Sequence, residues 1–406
     1  MGSTYKDDHH QPLLDSTSPI PVQESHQVFH LRGDRILRIN KLTWNVFLTI
    51  ITVLTSVLMN VTLPLYSNSM TKDGGSEYPV LLLSSMWFPF FFFGLVFLTK
   101  FLSPSMSLRS SVSNRIMILV GFLNAINGVL VVYASSTSRT PAALQAILST
   151  SVIPFTVISR YILLRKGVSK ARLVCTGIVL IGLFISLEPT IFNIDGNGGG
   201  GGGGEHLSNF EKFIWPVIFM FGFLPVGISN AVLERELKKG ETESLLFLAW
   251  AQLYNFVFIA ALFWTDFIPR FGASSSFHDF WENLTYGLKC QYGADQSCHS
   301  AVGASWIFIL GYCSANLMIF LLVKYAEGAI YLVVVQAMVT PLGALFWTFF
   351  VPTPYFHWDP HFLQLSTFFI MLGILIMVPA VAMYNYFGIK EEKDLKRQLD
   401  LQSEDD

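Results

Sequence analysis

The chain has 406 residues, 52% of them hydrophobic, 15% aromatic and only 13% charged. Soluble domains carry roughly a quarter of their residues as charged side chains, which excludes an ordinary soluble protein. A formal charge of −2 argues against a nucleic-acid binder as the main reading, because neutralising phosphates takes clustered Lys and Arg. Four cysteines without a CxxC pair are too few for a disulfide scaffold and suggest neither zinc nor redox chemistry.

Residues 1–43 precede the first apolar run, which begins at Trp44. Asp7, Asp8, Asp15, Glu24 and Asp34 argue against an acid-poor transit peptide, so this segment reads as a disordered cytosolic tail. Ten stretches then follow, each long enough to cross ~30 Å of hydrocarbon as a helix: 44–66, 78–99, 116–135, 141–164, 172–190, 213–233, 244–264, 304–323, 327–350 and 362–387. The expected fold is an all-α polytopic membrane protein. Five helices occupy 44–190, a Gly-rich linker 191–212 carries seven consecutive glycines at 198–204, and five more helices occupy 213–387. Residues 388–406 form a second polar tail.

With the N-terminus in the cytosol, the cytosolic flank and loops hold nineteen of the 26 Lys and Arg, against five on the other side. That is the asymmetry the positive-inside rule demands, and an even helix count leaves both termini cytosolic. The long loop 265–303 then faces the lumen with Trp281, Cys290, Cys298 and the sequon Asn283-Leu284-Thr285, features suited to an oxidising, glycosylating compartment. Arg160, inside the fourth stretch near its cytosolic end, reads as a snorkelling side chain.

The two halves can be aligned. "NAINGVLVVYA" from Asn124 matches "NLMIFLLVKYA" from Asn316, Ala142 to Pro154 repeats the separation of Ala329 to Pro341, and Met59-Asn60 matches Ser229-Asn230. Five is odd, so the second half runs upside down relative to the first, as in the inverted 5+5 repeats that build secondary transporters.

Polar groups in hydrocarbon must be paired, so they mark either helix packing or a solvated path. Asn60 and Asn230 are repeat-related, and Asn124 with Asn127, Gln145 with Ser149, Gln252 with Asn255, and Gln336 with Thr340 each share a helix face. Interhelical glue explains any one of them as well as a site does; the recurrence of the set in both halves favours one central cavity, also lined by Asn316. Pro154 and Pro341 each free a carbonyl in mid-helix, which a cavity or a packing kink accommodates. Glu188, just before Pro189, is a solvated helix-end charge on the plainer reading and a proton site on the functional one.

Enzymatic readings fare poorly. His357 and His361 lie in a loop broken by Pro360, no nucleophile and base stand together, and the glycine run lacks the Lys-Ser/Thr ending of a phosphate loop. No metal or cofactor is implied.

"VLMN" ending at Asn60, "SRYILLR" closing the fourth stretch, "ISLE" ending at Glu188, "LPVGISNAVLERELKK" from Leu224 and the Cys-bearing loop resemble the chloroquine-resistance-transporter-like family of the drug/metabolite transporter superfamily, over roughly residues 44–390. The resemblance implies ten helices, an inverted repeat and a central cavity that moves amino acids, short peptides, glutathione-related thiols or organic cations, in one branch with protons from an acidic vacuole. Val61 stands where that branch has a lysine, and Asn124 and Ala315 replace its membrane aspartates, which removes a cationic barrier and puts carboxylate-based proton coupling in doubt. Only two loop cysteines remain, so one disulfide, Cys290 to Cys298, is expected, with Asn283 glycosylated. The expectation is therefore a secondary transporter, monomeric, partnered by a small-molecule substrate, the bilayer and protons but not nucleic acid; a channel and a non-transporting receptor or scaffold are the alternatives. An imperfect acidic dileucine signal, Asp8 with Leu13-Leu14, and the family's vacuolar branch point to an endolysosomal or vacuolar membrane, with plastid or plasma membrane as the alternative.

Overall fold

A computed structural model describes residues 26–30, 36–70, 77–102, 108, 112–135, 139–140, 148–149, 151–165, 169–191, 209–237, 244–295, 298, 300–326, 329–351, 357–358 and 365–404. Gln145, the glycine run and His361 lie outside them, as does the side chain of Glu188, whose backbone is helical.

The chain divides into two compact units, Met1–Trp44 and Asn45–Asp406. In the first, β1 (His26–His30) pairs antiparallel with β2 (Ile36–Asn40), Val28 opposite Arg38 and Phe29 opposite Leu37. Part of the segment expected to be disordered is thus a hairpin. Its strands are rich in the β-branched and aromatic residues that a pleated surface favours.

The second unit is predominantly helical. The helices are α1 (Lys41–Met70, beginning just before the unit boundary), α2 (Glu77–Leu102), α3 (Asn114–Ala134), α4 (Val152–Leu164), α5 (Lys170–Ile191), α6 (Asn209–Gly222), α7 (Leu224–Leu237) and α8 (Ser244–Ala261). Then come α9 (Phe277–Gln291), α10 (Ser300–Tyr325), α11 (Ala329–Gln336), α12 (Val339–Phe349) and α13 (Leu365–Glu404). His357 lies in β4 (His357–Trp358), which pairs with β3 (Phe350–Val351).

Among the described residues, six helical stretches are long and apolar enough to cross a membrane: Thr43–Leu63, Glu77–Leu102, Asn114–Ala134, Phe213–Leu237, Leu245–Phe267 and Ala301–Tyr325. Val152–Leu164, Val334–Gly343 and Met371–Tyr384 are shorter apolar helices. Two expected spans are interrupted. The sixth breaks at Phe223, just before Pro225. The ninth breaks at Ala337 and Met338, where Pro341 can donate no bond to the carbonyl four residues back and Met338 N turns instead to Val335 O at 3.1 Å.

The molecule is apolar outside as well as inside. Phe97 is 64% exposed, Phe101 74% and Leu375 70%, a surface matched by hydrocarbon rather than by water. Inside, α5 packs along α13, α8 lies against both α2 and α3, and α4 lies against α7. Two crossings depend on glycine. A Cβ on Gly121 would stand 2.5 Å from the Cβ of Tyr254 on α8, and one on Gly227 would stand 2.8 Å from the backbone of Phe155 on α4. Only a residue without a side chain lets these backbones approach so closely.

Loop 265–303 contains a helix that the search for apolar runs passed over. In α9, Phe280, Gly287 and Cys290 are buried whereas Phe277, Trp281, His278 and Glu282 are exposed. Ser276 caps it by accepting from Asp279 N at 3.1 Å. Hydrogen bonds from Ser275, then Ser276, hold the Asp279 carboxyl below its usual range. Cys290 and Cys298 lie at disulfide-bonding distance, Cα to Cα 5.3 Å.

Candidate functional site

A polar seam runs between α4 and α7 inside the bundle. It starts where Gly227 meets the backbone of Phe155. One turn on, buried Asn230 donates from Nδ2 to Thr156 Oγ1 at 3.4 Å. A further turn on, Arg160 Nε donates to both oxygens of Glu234, at 3.1 and 2.9 Å. Thr156 and Arg160 on one helix, like Asn230 and Glu234 on the other, are four residues apart and therefore stack on one face. The Glu234 side chain is 3% exposed and that of Arg160 12%. This corrects the snorkelling reading of Arg160: its guanidinium stays inside because a carboxylate on a neighbouring helix is there to receive it. The same carboxylate also accepts, through Oε2, the backbone N–H of Ala329, the first residue of α11, at 3.2 Å. Glu234 thus joins three helices, with its charge placed against the positive end of α11.

A second polar group lies on α8. Gln252 and Asn255 are both buried, and Asn255 Nδ2 donates to Gln252 Oε1 at 3.3 Å. Gln252 Nε2 and Asn255 Oδ1 have no hydrogen-bond partner at bonding distance among the described residues. Buried amide atoms left in this state are the usual trace of a water or polar ligand site.

Of the other expected residues, Asn316 joins this group, since its side chain and that of Gln252 both approach the Tyr312 hydroxyl, and the rest are dispersed. Asn127 donates to Gly222 O at 2.9 Å, satisfying a carbonyl at the break between α6 and α7. Asn316 donates to Tyr312 O, one turn back on its own helix, at 2.9 Å. Asn124, Ser149, Gln336 and Thr340 are half-buried, Val61 is buried and Asn60 is exposed. None of these amides lines the apolar cleft between α12 and α13, formed by Met338, Pro341, Leu342, Ile374, Met377 and Val378.

A further knot ties the opposite end of span Phe213–Leu237. Asp266, fully buried, accepts from Tyr133 Oη at 2.9 Å and Ser274 Oγ at 2.6 Å. Arg139 donates to the carbonyls of Tyr133 and Phe271, both at 2.8 Å, and lies 4.1 Å over the Trp215 ring. Asn283 Nδ2 lies 3.4 Å from Ser274 Oγ at the rim of this knot. Sequence reasoning placed Arg139 and Asp266 in loops and missed the knot; no local pattern announces it. For the seam there was a partial signal: Arg160 is a charge within the fourth apolar stretch and Glu234 immediately follows the sixth, 213–233, so each calls for a partner.

The family model described as "CRT-like, chloroquine-resistance transporter-like" matches residues 45–377. The chain belongs to the CRT-like family. Among curated CRT-like relatives it is 22% identical over 262 residues to "Crt homolog 3" of Dictyostelium discoideum, covering 57% of this chain and 51% of the relative. It is 21% identical over 271 residues to the "Chloroquine resistance transporter" of Toxoplasma gondii, covering 63% of this chain and 29% of the relative. It is 24% identical over 243 residues to "Crt homolog 1" of Dictyostelium discoideum, covering 52% of this chain and 48% of the relative. The match spans about half or less of each of these relatives.

Proposed function

We propose that this CRT-like chain is a secondary transporter of ten spans. It moves small polar or amphipathic solutes (amino acids, short peptides, glutathione-related thiols or organic cations) by alternating access between two inverted five-helix halves. The observation that carries this reading is the pattern of helix partners. Counting α6 with α7 as span six and α11 with α12 as span nine, span five packs on ten and two on seven. Three on seven is matched by eight on two. Four packs on six, and nine meets one through the Tyr331 and Thr49 hydroxyls at 2.9 Å. Exchanging the first five spans for the second carries five on ten and two on seven into themselves and three on seven into eight on two, which supports a repeat, whereas among the described residues three on six has no packing of comparable extent between eight and one.

In this reading Asn60, Val61, Asn124, Asn127, Gln145, Ser149, Asn230, Gln252, Asn255, Asn316, Gln336 and Thr340 line or support the substrate path, and the buried Gln252–Asn255 pair supplies amide groups for a polar solute. Glu188 is the candidate proton site, Asn283 the glycosylation site, and an endolysosomal or vacuolar membrane the location, with the protein acting as a monomer. The test is transport of radiolabelled candidates into proteoliposomes, with and without an inside-acid gradient. Asn60→Ala and Asn230→Ala are expected to fold at normal yield and to change substrate preference, and Val61→Lys to weaken transport of cations by Coulomb repulsion. Unchanged kinetics for every accepted substrate in well-folded Asn60→Ala and Asn230→Ala removes the cavity assignment.

A further inference from the structure

We infer that Glu234, oriented by Arg160, is a latch that holds the transport path shut at its cytosolic end by capping α11. The inference rests on the transporter reading and its orientation, in which the C-terminal ends of α4 and α7 and the start of α11 are cytosolic.

The latch has a fixed part and a releasable part. The fixed part is α4 with α7. Their backbones touch at Gly227 and Phe155, and the bond of Asn230 to Thr156 and the two bonds of Arg160 to Glu234 follow along the same seam. Separating these helices would strand a buried charge on each, which is costly enough to keep them together as one body. The releasable part is α11, held by the bond from Ala329 N to Glu234 Oε2 and by its smaller packing on α4 and α7. If α11 swings away, its first N–H passes to water while the carboxylate keeps its arginine. Beyond that packing, the opening forfeits one charge-assisted hydrogen bond and not an ion pair, which suits a gate that must reopen in every cycle. Arg160 is here a positioning residue: it aims the carboxylate at α11.

In the register set by Asn60 with Asn230 and by Pro154 with Pro341, the counterparts of Glu234 and Arg160 are Pro64 and Trp347. Neither side chain can carry a charge, so the repeat does not reproduce this pair at its counterpart positions, and the lumenal end is tied instead through Asp266 and Arg139.

The test uses the full chain in sealed vesicles, cytosolic face outward, and a membrane-impermeant maleimide. Ser159, buried on α4 beside Arg160, is replaced by cysteine as the reporter. The native buried thiols Cys175 and Cys313 serve as internal controls for unfolding, each read by peptide mass spectrometry. Adding Glu234→Gln, or separately Arg160→Gln, is expected to raise labelling at the reporter about tenfold or more while both native thiols stay protected. Reporter labelling unchanged by either substitution, with the native thiols protected, overturns the latch whether or not the vesicles transport anything. A rise in labelling without transport of any candidate supports the closure of α11 by Glu234 but counts against the transporter reading, and with it against a role for that closure in transport. If the variants expose Cys175 and Cys313, hydrogen exchange on the unsubstituted protein decides. The Ala329 amide is expected to exchange more slowly than the Asn114 and Arg115 amides of α3, whose N-cap Ser113 makes no side-chain bond; equal exchange overturns the latch.

Discussion

Close approach at single residues sets how the helices of this protein meet. At Gly121 a Cβ would lie 2.5 Å from Tyr254 Cβ and 2.8 Å from Asn255 N, well inside contact distance. Gly121→Ala must therefore push α8 away from α3 and disturb the amide pair on α8, at a cost of about 1–3 kcal/mol. Gly94, in the middle of α2, has nothing within 4 Å of an added Cβ. The same substitution there should leave stability within about 0.5 kcal/mol. Thermal unfolding of the two purified variants compares them directly, and equal midpoints would remove the packing argument.

Among the elements, α9 departs most from what a membrane protein's apolar runs lead one to expect. Its buried arc packs on α2 and α10, with Gly287 against Pro79, and its C-terminal Cys290 reaches Cys298 just before α10 begins. A covalent link across so short a loop restrains the turn from α9 into α10, an effect of about 2–3 kcal/mol on the chain-entropy account. Intact protein labelled under non-reducing conditions should show two free thiols, at Cys175 and Cys313, and four after reduction. Cys298→Ser should lower the unfolding midpoint. Four free thiols before reduction would refute the bond. The break between α11 and α12 is the opposite case: Pro341 signals it in the sequence, because a missing donor acts on a carbonyl only four residues away.

For the molecule as a whole, the charge asymmetry of nineteen Lys and Arg to five predicts that both tails share the cytosolic side and that 265–303 faces the lumen. Protease added to sealed vesicles, cytosolic face outward, should cut both tails and spare the loop; the reverse pattern would invert the assignment and with it the side on which the Glu234 latch acts.

Most of the long helices could be read directly from the chain because hydrocarbon tests each segment by itself. A run such as "WFPFFFFGLVFL" in α2 must satisfy its own backbone as a helix wherever its neighbours lie. The same local logic reached the family, whose motifs are contiguous, and the Cys290–Cys298 pair, whose partners are eight residues apart. It failed where a polar group finds its partner across the bundle. Arg160 and Glu234 are separated by 74 residues, Tyr133 and Asp266 by 133. Read alone, Arg160 is a charge that can only reach for water; beside Glu234 it is half of a buried pair. Hydrophobicity is a property of a segment and can be summed along the sequence, whereas the cost of burying a charge depends on what stands opposite it, and only the packing of α4 against α7 and α11 supplies that.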